Sequence, residues 1–270
     1  MEFENNIAIV TGASEGIGRG IAEKLASEGA KVYLVARTLS KLETARDEIN
    51  LKYPSKAEIE TADITDFSRI KEIIDSVYES EKRLDIFINN AGAYKPYSFD
   101  SDFEDVRSLI ELNMLAPLEI TSYLVNKFSR ESSNKLKILT VVSQAALNVF
   151  TQGLGYGTSK TGLASGLFHI EKDMKYRGIE NIEMFRIYPG TVGTEKMMEL
   201  VKKDILQNPI SLESVVEVVD NLLLGKTKTR DIRISYFPNS PKGVKITYLE
   251  SDPDKFSLLD VIDETLMWKL

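Results

Sequence analysis

Residues 6–27 read NIAIVTGASEGIGRGIAEKLAS, and the order of the parts decides the fold. The short apolar run NIAIV has the length and β-branched content of a buried strand. A turn holding Gly12, Gly16 and Gly18 follows, and the chain then enters the helical rhythm GIGRGIAEKLASEG. Glycines at such a turn permit positive φ and let a diphosphate approach the backbone. The helix amino terminus beyond it offers unpaired N–H groups and a partial positive charge. A glycine-rich connection can also serve close packing alone, and the spacing G-x-x-x-G-x-G departs from the general dinucleotide fingerprint G-x-G-x-x-G. Its place between the first strand and the first helix of an alternating series favours a nucleotide.

The alternation continues outward from that stretch. KVYLVA, AEIETAD, LDIFI, KLKILTVVS and IEMFRIY read as strands two to six. Helical segments separate them: SKLETARDEINLKY, DFSRIKEIIDSVYESE, most of residues 103–130, and about 154–177. LESVVEVVDNLLLG reads as a further helix and RDIRISYF as a last strand. Parallel neighbours need crossover helices and both faces need cover, so the expected fold is α/β: a Rossmann-type, doubly wound parallel sheet in one domain. The expected division is a domain over 1–237 and a tail over 238–270 of irregular surface structure that packs on its own domain or on a neighbouring subunit. Within that tail DVIDETLMWKL has the rhythm of a helix or an arm.

Composition narrows the function. The 270 residues are 43% hydrophobic and 28% charged, with a net charge of −7 and no basic run, which argues against nucleic acid as a partner. The absence of cysteine excludes thiolate catalysis and cysteine-ligated metals, and a single histidine, His169, rules out a multi-histidine metal site. His169 falls within a helix away from the strand ends, so packing or an interface is its expected role. The amino terminus MEFENNIAIVTGA has neither a basic start nor a long apolar stretch, and no segment is of membrane-spanning length, so cytoplasmic residence without a membrane partner is expected.

Ligands of such sheets sit at the carboxyl ends of the strands. Strand two ends in Ala36, Arg37 and Thr38, with no carboxylate where an NAD-binding unit holds the ribose 2′-hydroxyl, so NADP(H) is favoured over NAD(H). Glu15 pulls the other way, since a carboxylate would repel a 2′-phosphate. Asp63, followed by Ile64, could accept a hydrogen bond from an adenine amino group or cap the next helix. Strand four ends in the small-residue turn Asn89-Asn90-Ala91-Gly92 and strand five at Ser143. Tyr156 and Lys160 in QGLGYGTSK share a helix face if a helix begins near Gly153.

TGASEGIG, NNAG, Ser143, YGTSK and PGTVGT, in this order, resemble the short-chain dehydrogenase/reductase family over residues 6 to about 235. The resemblance implies hydride transfer between a nicotinamide and a carbonyl compound or its alcohol. Matched residue to residue, it makes Tyr156 the general acid or base, Lys160 its electrostatic partner, Ser143 the ligand of the substrate oxygen, and Asn113 in LIELNMLAP the holder of a relay water. An ammonium one turn from the phenol is expected to lower its pKa from about 10 towards the working pH. The family pattern further implies cofactor contacts at Gly12, Ser14, Glu15, Gly16, Ile17, Gly18, Arg37, Thr38, Asp63, Ile64, Asn90, Ala91 and Gly92. Tyr156, Lys160, Pro189, Gly190, Val192 and Thr194 complete the cofactor set. Ala145, Ala146, Leu147, Tyr188 and Met197 would join Ser143 and Tyr156 in a mostly apolar substrate pocket. Met197, Met198 and Leu200 form either an adaptable lid or an ordinary amphipathic helix. Family members assemble as homodimers or homotetramers through the helices at 103–130 and 154–177.

Two other readings stand beside this one. A 3-oxoacyl-carrier-protein reductase shares the motifs, but the residues after RDIRISY lack the glycine-rich ending typical of that group. A non-catalytic NADPH sensor would have little reason to hold Asn113, Ser143, Tyr156 and Lys160 together.

Overall fold

The structure is a computed structural model and describes residues 1–130, 135–202, 208–227, 229–237, 243–249 and 264–266. One sheet organises the chain. Its strands are β1 (Ile7–Thr11), β2 (Lys31–Ala36), β3 (Ala57–Thr61), β4 (Ile86–Asn89), β5 (Leu136–Val141), β6 (Ile182–Pro189), β7 (Asp231–Tyr236), β8 (Val244–Tyr248) and β9 (Glu264–Leu266). Their order is β3-β2-β1-β4-β5-β6-β7-β8-β9, with β1 to β7 parallel and β8 and β9 antiparallel. Every residue of β1 and β4 is buried, as expected for strands covered on both faces.

The helices are α1 (Gly16–Ser27), α2 (Leu39–Lys52), α3 (Phe67–Glu81), α4 (Phe103–Ile110), α5 (Ala116–Phe128), α6 (Tyr156–Tyr176), α7 (Glu195–Lys202) and α8 (Leu212–Leu223). Side chains of α1, α2 and α8, among them Leu25, Leu42 and Val218, form the core on one face. Those of α3, α5 and α6, among them Ile74, Leu124 and Leu167, form it on the other. The doubly wound α/β architecture expected from the sequence is the one observed. The chain steps outward from β1 to β3 and then returns to β4 on the far side of β1, so a crevice opens at the carboxyl ends of β1 and β4.

Three local expectations change. The helix over 103–130 is interrupted by a π-helical turn, Glu111–Leu115, with Asn113 at its centre. Such turns re-aim the backbone and concentrate at functional sites. The stretch after residue 237, expected to be irregular, supplies β8, whose alternation over Val244–Tyr248 closes the free edge of β7. Residues 264–266, expected in a helix or arm, pair with β8 as a strand, while the rest of DVIDETLMWKL lies outside the described residues. Among the described residues no helix is long and apolar enough to cross a membrane.

Candidate active site

The glycine turn is built for close approach. Gly12 and Gly16 hold φ of +64° and +60°, a region that side chains disfavour. A Cβ on Gly18 would stand 2.4 Å from the carbonyl oxygen of Gly12, so only glycine lets α1 start there. Glu15 occupies the N-cap of α1 without a capping side-chain bond, and no acidic residue stands in the first turn. The first N–H groups of α1 therefore keep their affinity for an anion. Thr194 comes over the turn from the loop after β6: a Cβ on Gly16 would meet its methyl at 3.2 Å.

The turn after β4 is locked onto this cradle. Asn90 Nδ2 donates to the carbonyls of Thr11 (2.9 Å) and Gly12 (3.2 Å), and the Thr11 hydroxyl accepts from the amides of Asn90 and Ala91. Thr11 was not singled out from the sequence, although its place beside Gly12 at the strand end was the available signal. Asn89 points the other way and donates to Thr121 Oγ1 inside the core.

Four side chains meet at the crevice. Asn113 is fully buried, and its carboxamide closes a ring on Ala93, accepting from the amide (2.9 Å) and donating to the carbonyl (2.8 Å). A Cβ on Gly92 would meet Asn113 Oδ1 at 2.8 Å and Lys160 Nζ at 3.7 Å, so the turn after β4, the π-turn and α6 converge there. Lys160 is buried, donates to the carbonyl of Val141 at 3.1 Å, and lies 5.9 Å from the centroid of the Tyr156 ring. Ser143 stands close enough to the Tyr156 phenol to favour its ionised form.

The electrostatics differ from the sequence expectation. Burial pushes the Tyr156 phenol up, the Ser143 hydroxyl only partly offsets this, and the nearby phenol of Tyr94 adds to the rise. Burial also lowers Lys160 from 10.5 to about 8, with no acidic partner among the described residues to hold its proton. The desolvation of both groups outweighs the expected pull of ammonium on phenol. At neutral pH Tyr156 carries its proton, and Lys160 is charged by about ten to one.

At the end of β2, Arg37 forms an exposed ion pair with Asp63 at 3.4 Å. Asp63 also accepts from the amide (3.0 Å) and hydroxyl (2.9 Å) of Thr65, while the cap of α3 is supplied by Asp66. Beside Arg37, Lys41 of α2 meets Glu15 at 2.6 Å. No sequence motif marks Lys41, which neutralises the Glu15 carboxylate that opposes a 2′-phosphate. Thr38 is the N-cap of α2, the Ile64 side chain is buried, and Ile17 packs on the core below the glycine turn.

Some pocket residues turn away. Tyr188 is wholly buried in the core, and its hydroxyl donates to Asp231 at 3.4 Å, so it does not line a substrate pocket. Asp231 also makes a paired contact with the buried Arg186 guanidinium, which reaches Glu171 at 2.6 Å. Burial and this carboxylate push the Tyr188 phenol well above its ordinary range. Ala146 is buried, while Ala145 and Leu147 are each half-buried, with Leu147 packed on the same core. The Val192 side chain is buried too, so a ligand would meet that residue through its main chain. Met197 on α7 is half-buried, Met198 is exposed with its sulfur near Gly193, and the Leu200 side chain lies outside the described residues. His169 is exposed on α6, so it has no packing role in the core.

The model of the short chain dehydrogenase family matches residues 6–205, which span β1 through α7 and every element of this crevice. The chain belongs to the short chain dehydrogenase family. An oxidoreductase of Staphylococcus saprophyticus is 28% identical over 195 residues, covering 72% of this chain and 81% of the relative. A short-chain dehydrogenase/reductase of unknown function from Caenorhabditis elegans, solved with cofactor, aligns with a TM-score of 0.73 at 25% identity, covering 84% of this chain and 90% of the other. The solved complex of 7α-hydroxysteroid dehydrogenase with NADH and 7-oxo glycochenodeoxycholic acid gives 0.72 at 26% identity, covering 82% and 88%. As a short chain dehydrogenase, this chain is an oxidoreductase of alcohol or carbonyl groups that uses a nicotinamide dinucleotide.

Proposed function

We propose that the chain interconverts a ketone or aldehyde and its alcohol with NADP(H), and that Tyr156 is the general acid and base. The observation that carries this reading is the convergence of Ser143, Tyr156, Lys160 and Asn113 opposite the glycine cradle. The bound nicotinamide supplies the hydride that the carbonyl carbon receives. Tyr156, protonated at neutral pH, delivers its proton to the carbonyl oxygen, and the alcohol hydroxyl results. Ser143 donates a second hydrogen bond to that oxygen as charge develops on it. Lys160 holds positive charge behind the phenol and favours the phenolate left after transfer. The Asn113 carboxamide bonds both the amide and the carbonyl of Ala93, and so fixes the π-turn against the turn after β4.

The cofactor preference rests on the end of β2. Arg37 follows β2 and Lys41 lies in the first turn of α2, no carboxylate occupies positions 36–38, and Glu15 is paired. Both cations are exposed and can exchange Asp63 and Glu15 for a 2′-phosphate, and β2 ends without the carboxylate that would accept from a 2′-hydroxyl. The NADH held by the 7α-hydroxysteroid dehydrogenase makes this the point to test. Oxidation of NADPH and NADH is followed against a panel of ketones, aldehydes, quinones and acyl thioesters. Higher kcat/KM with NADPH is expected, and a clear preference for NADH would overturn the reading of Arg37 and Lys41.

A further inference from the structure

The exposed apolar side chains are unevenly spread over the molecule. Tyr94, Phe99, Phe103, Val149, Phe150 and Leu154 all lie on the segments that follow β4 and β5, at the mouth of the crevice. Phe99 is 94% exposed and Tyr94 52%. A grouping of this kind marks a surface that meets an apolar ligand.

The two segments form one unit. The Tyr97 amide donates to the Gln152 carbonyl at 3.0 Å, and the Leu154 amide donates to the Tyr97 carbonyl at 3.1 Å. Tyr156 sits at the base of this unit. The Tyr94 ring meets the Tyr156 ring edge-on, with centroids 5.2 Å apart and an interplanar angle of 87°. Phe150 comes from the other segment and covers the start of α6: a Cβ on Gly153 or Gly157 would stand 3.0 or 3.2 Å from its ring. One aromatic ring therefore touches the proposed proton donor, and another covers the residue next to it.

Charge narrows the ligand further. The same rim carries Asp100, Asp102, Glu104 and Asp105 against Lys95 and Arg107, and Arg107 is engaged by Glu104 at 2.8 Å. A phosphate-bearing carrier would enter against this potential.

We infer that the substrate is an elongated, uncharged apolar carbonyl compound whose carbon skeleton lies between Tyr94 and Phe150, and that the carboxylates at 100–105 select against phosphate-bearing acyl carriers. This rests on Tyr156 being the proton donor. With the full chain and NADPH, a series of straight-chain methyl ketones should show kcat/KM rising by up to about fourfold per methylene, the factor that corresponds to ~0.8 kcal/mol. The ethyl ester of a long-chain 3-oxo acid should be reduced about tenfold more efficiently than its coenzyme A thioester at low ionic strength, with the gap narrowing as salt is added. Tyr94→Ala and Phe150→Ala should flatten the chain-length slope, thermal midpoints reporting that each variant folds. The ester and thioester comparison needs no variant and stands even if neither does. Turnover with a flat slope, or a thioester preferred at low salt, overturns the inference and leaves the proposed reaction intact. If the wild type reduces no carbonyl at all, the proposed reaction fails and the inference falls with it.

Discussion

Replacing Lys160 with Met should change the stability of the cofactor-free protein by an amount more favourable at neutral than at alkaline pH. Lys160 is buried, donates a single hydrogen bond to Val141, and has its pKa lowered from 10.5 to about 8. Between those values the unfolded chain binds a proton that the folded chain does not. Folding is therefore penalised, fully below pH 8 and not at all above 10.5. At pH 7 the penalty is about 3 kcal/mol, and at pH 9.5 about 1 kcal/mol remains. The methionine variant should be favoured over wild type by about 2 kcal/mol more at pH 7 than at pH 9.5. Lost packing and the orphaned Val141 carbonyl cost the same at both pH values and cancel in that difference. Urea unfolding of both proteins at the two pH values, without cofactor, measures it. A difference below about 0.5 kcal/mol, or one of opposite sign, would show that Lys160 is not desolvated as the structure places it.

Arg37→Ala and Lys41→Ala should each weaken NADPH binding by about tenfold and NADH by much less, since a charge-assisted hydrogen bond contributes about 1.5–3 kcal/mol. Titration of nucleotide fluorescence measures both. Gly18→Ala, which brings a Cβ to 2.4 Å from the Gly12 carbonyl, should destabilise the fold by about 1–3 kcal/mol and abolish nucleotide binding. Asp231→Ala removes the paired carboxylate contact of the buried Arg186 and should cost about 3 kcal/mol in chemical unfolding, because Glu171 alone then holds a fully buried guanidinium. The activity of the molecules that remain folded should fall much less than their number.

Much of the site was legible because the physics is local. A strand, a glycine turn and a helix follow one another in residues 6–27, and Tyr156 and Lys160 are one helical turn apart, so sequence spacing alone brings them together. Asn113 could be placed in its helix by position, but the π-turn around it could not, because Glu111–Leu115 has no residue type that forces one. Tyr188 shows another limit. In a strand buried on both faces every residue is apolar or paired, so the sequence did not show that its phenol points at Asp231 and away from the crevice. Lys41 is four residues beyond Arg37, yet its bond to Glu15 joins residues 26 apart and exists only in the fold. The strand Val244–Tyr248 was masked by the Pro, Gly and charged residues around it, although VKITY has the alternation of an edge strand.

The central claim is that Tyr156 delivers the proton in a nicotinamide-dependent carbonyl reduction. Its most direct test is single-turnover oxidation of NADPH by the wild type and by Tyr156→Phe with a saturating long-chain methyl ketone, beside the NADPH affinity of each. The substitution removes one hydroxyl from a half-buried ring and leaves the glycine cradle, Arg37 and Lys41 in place. The expected result is a loss of about 10²–10⁴ in the reduction rate with NADPH affinity within a few-fold of wild type. A variant that reduces the ketone at the wild-type rate would contradict the account.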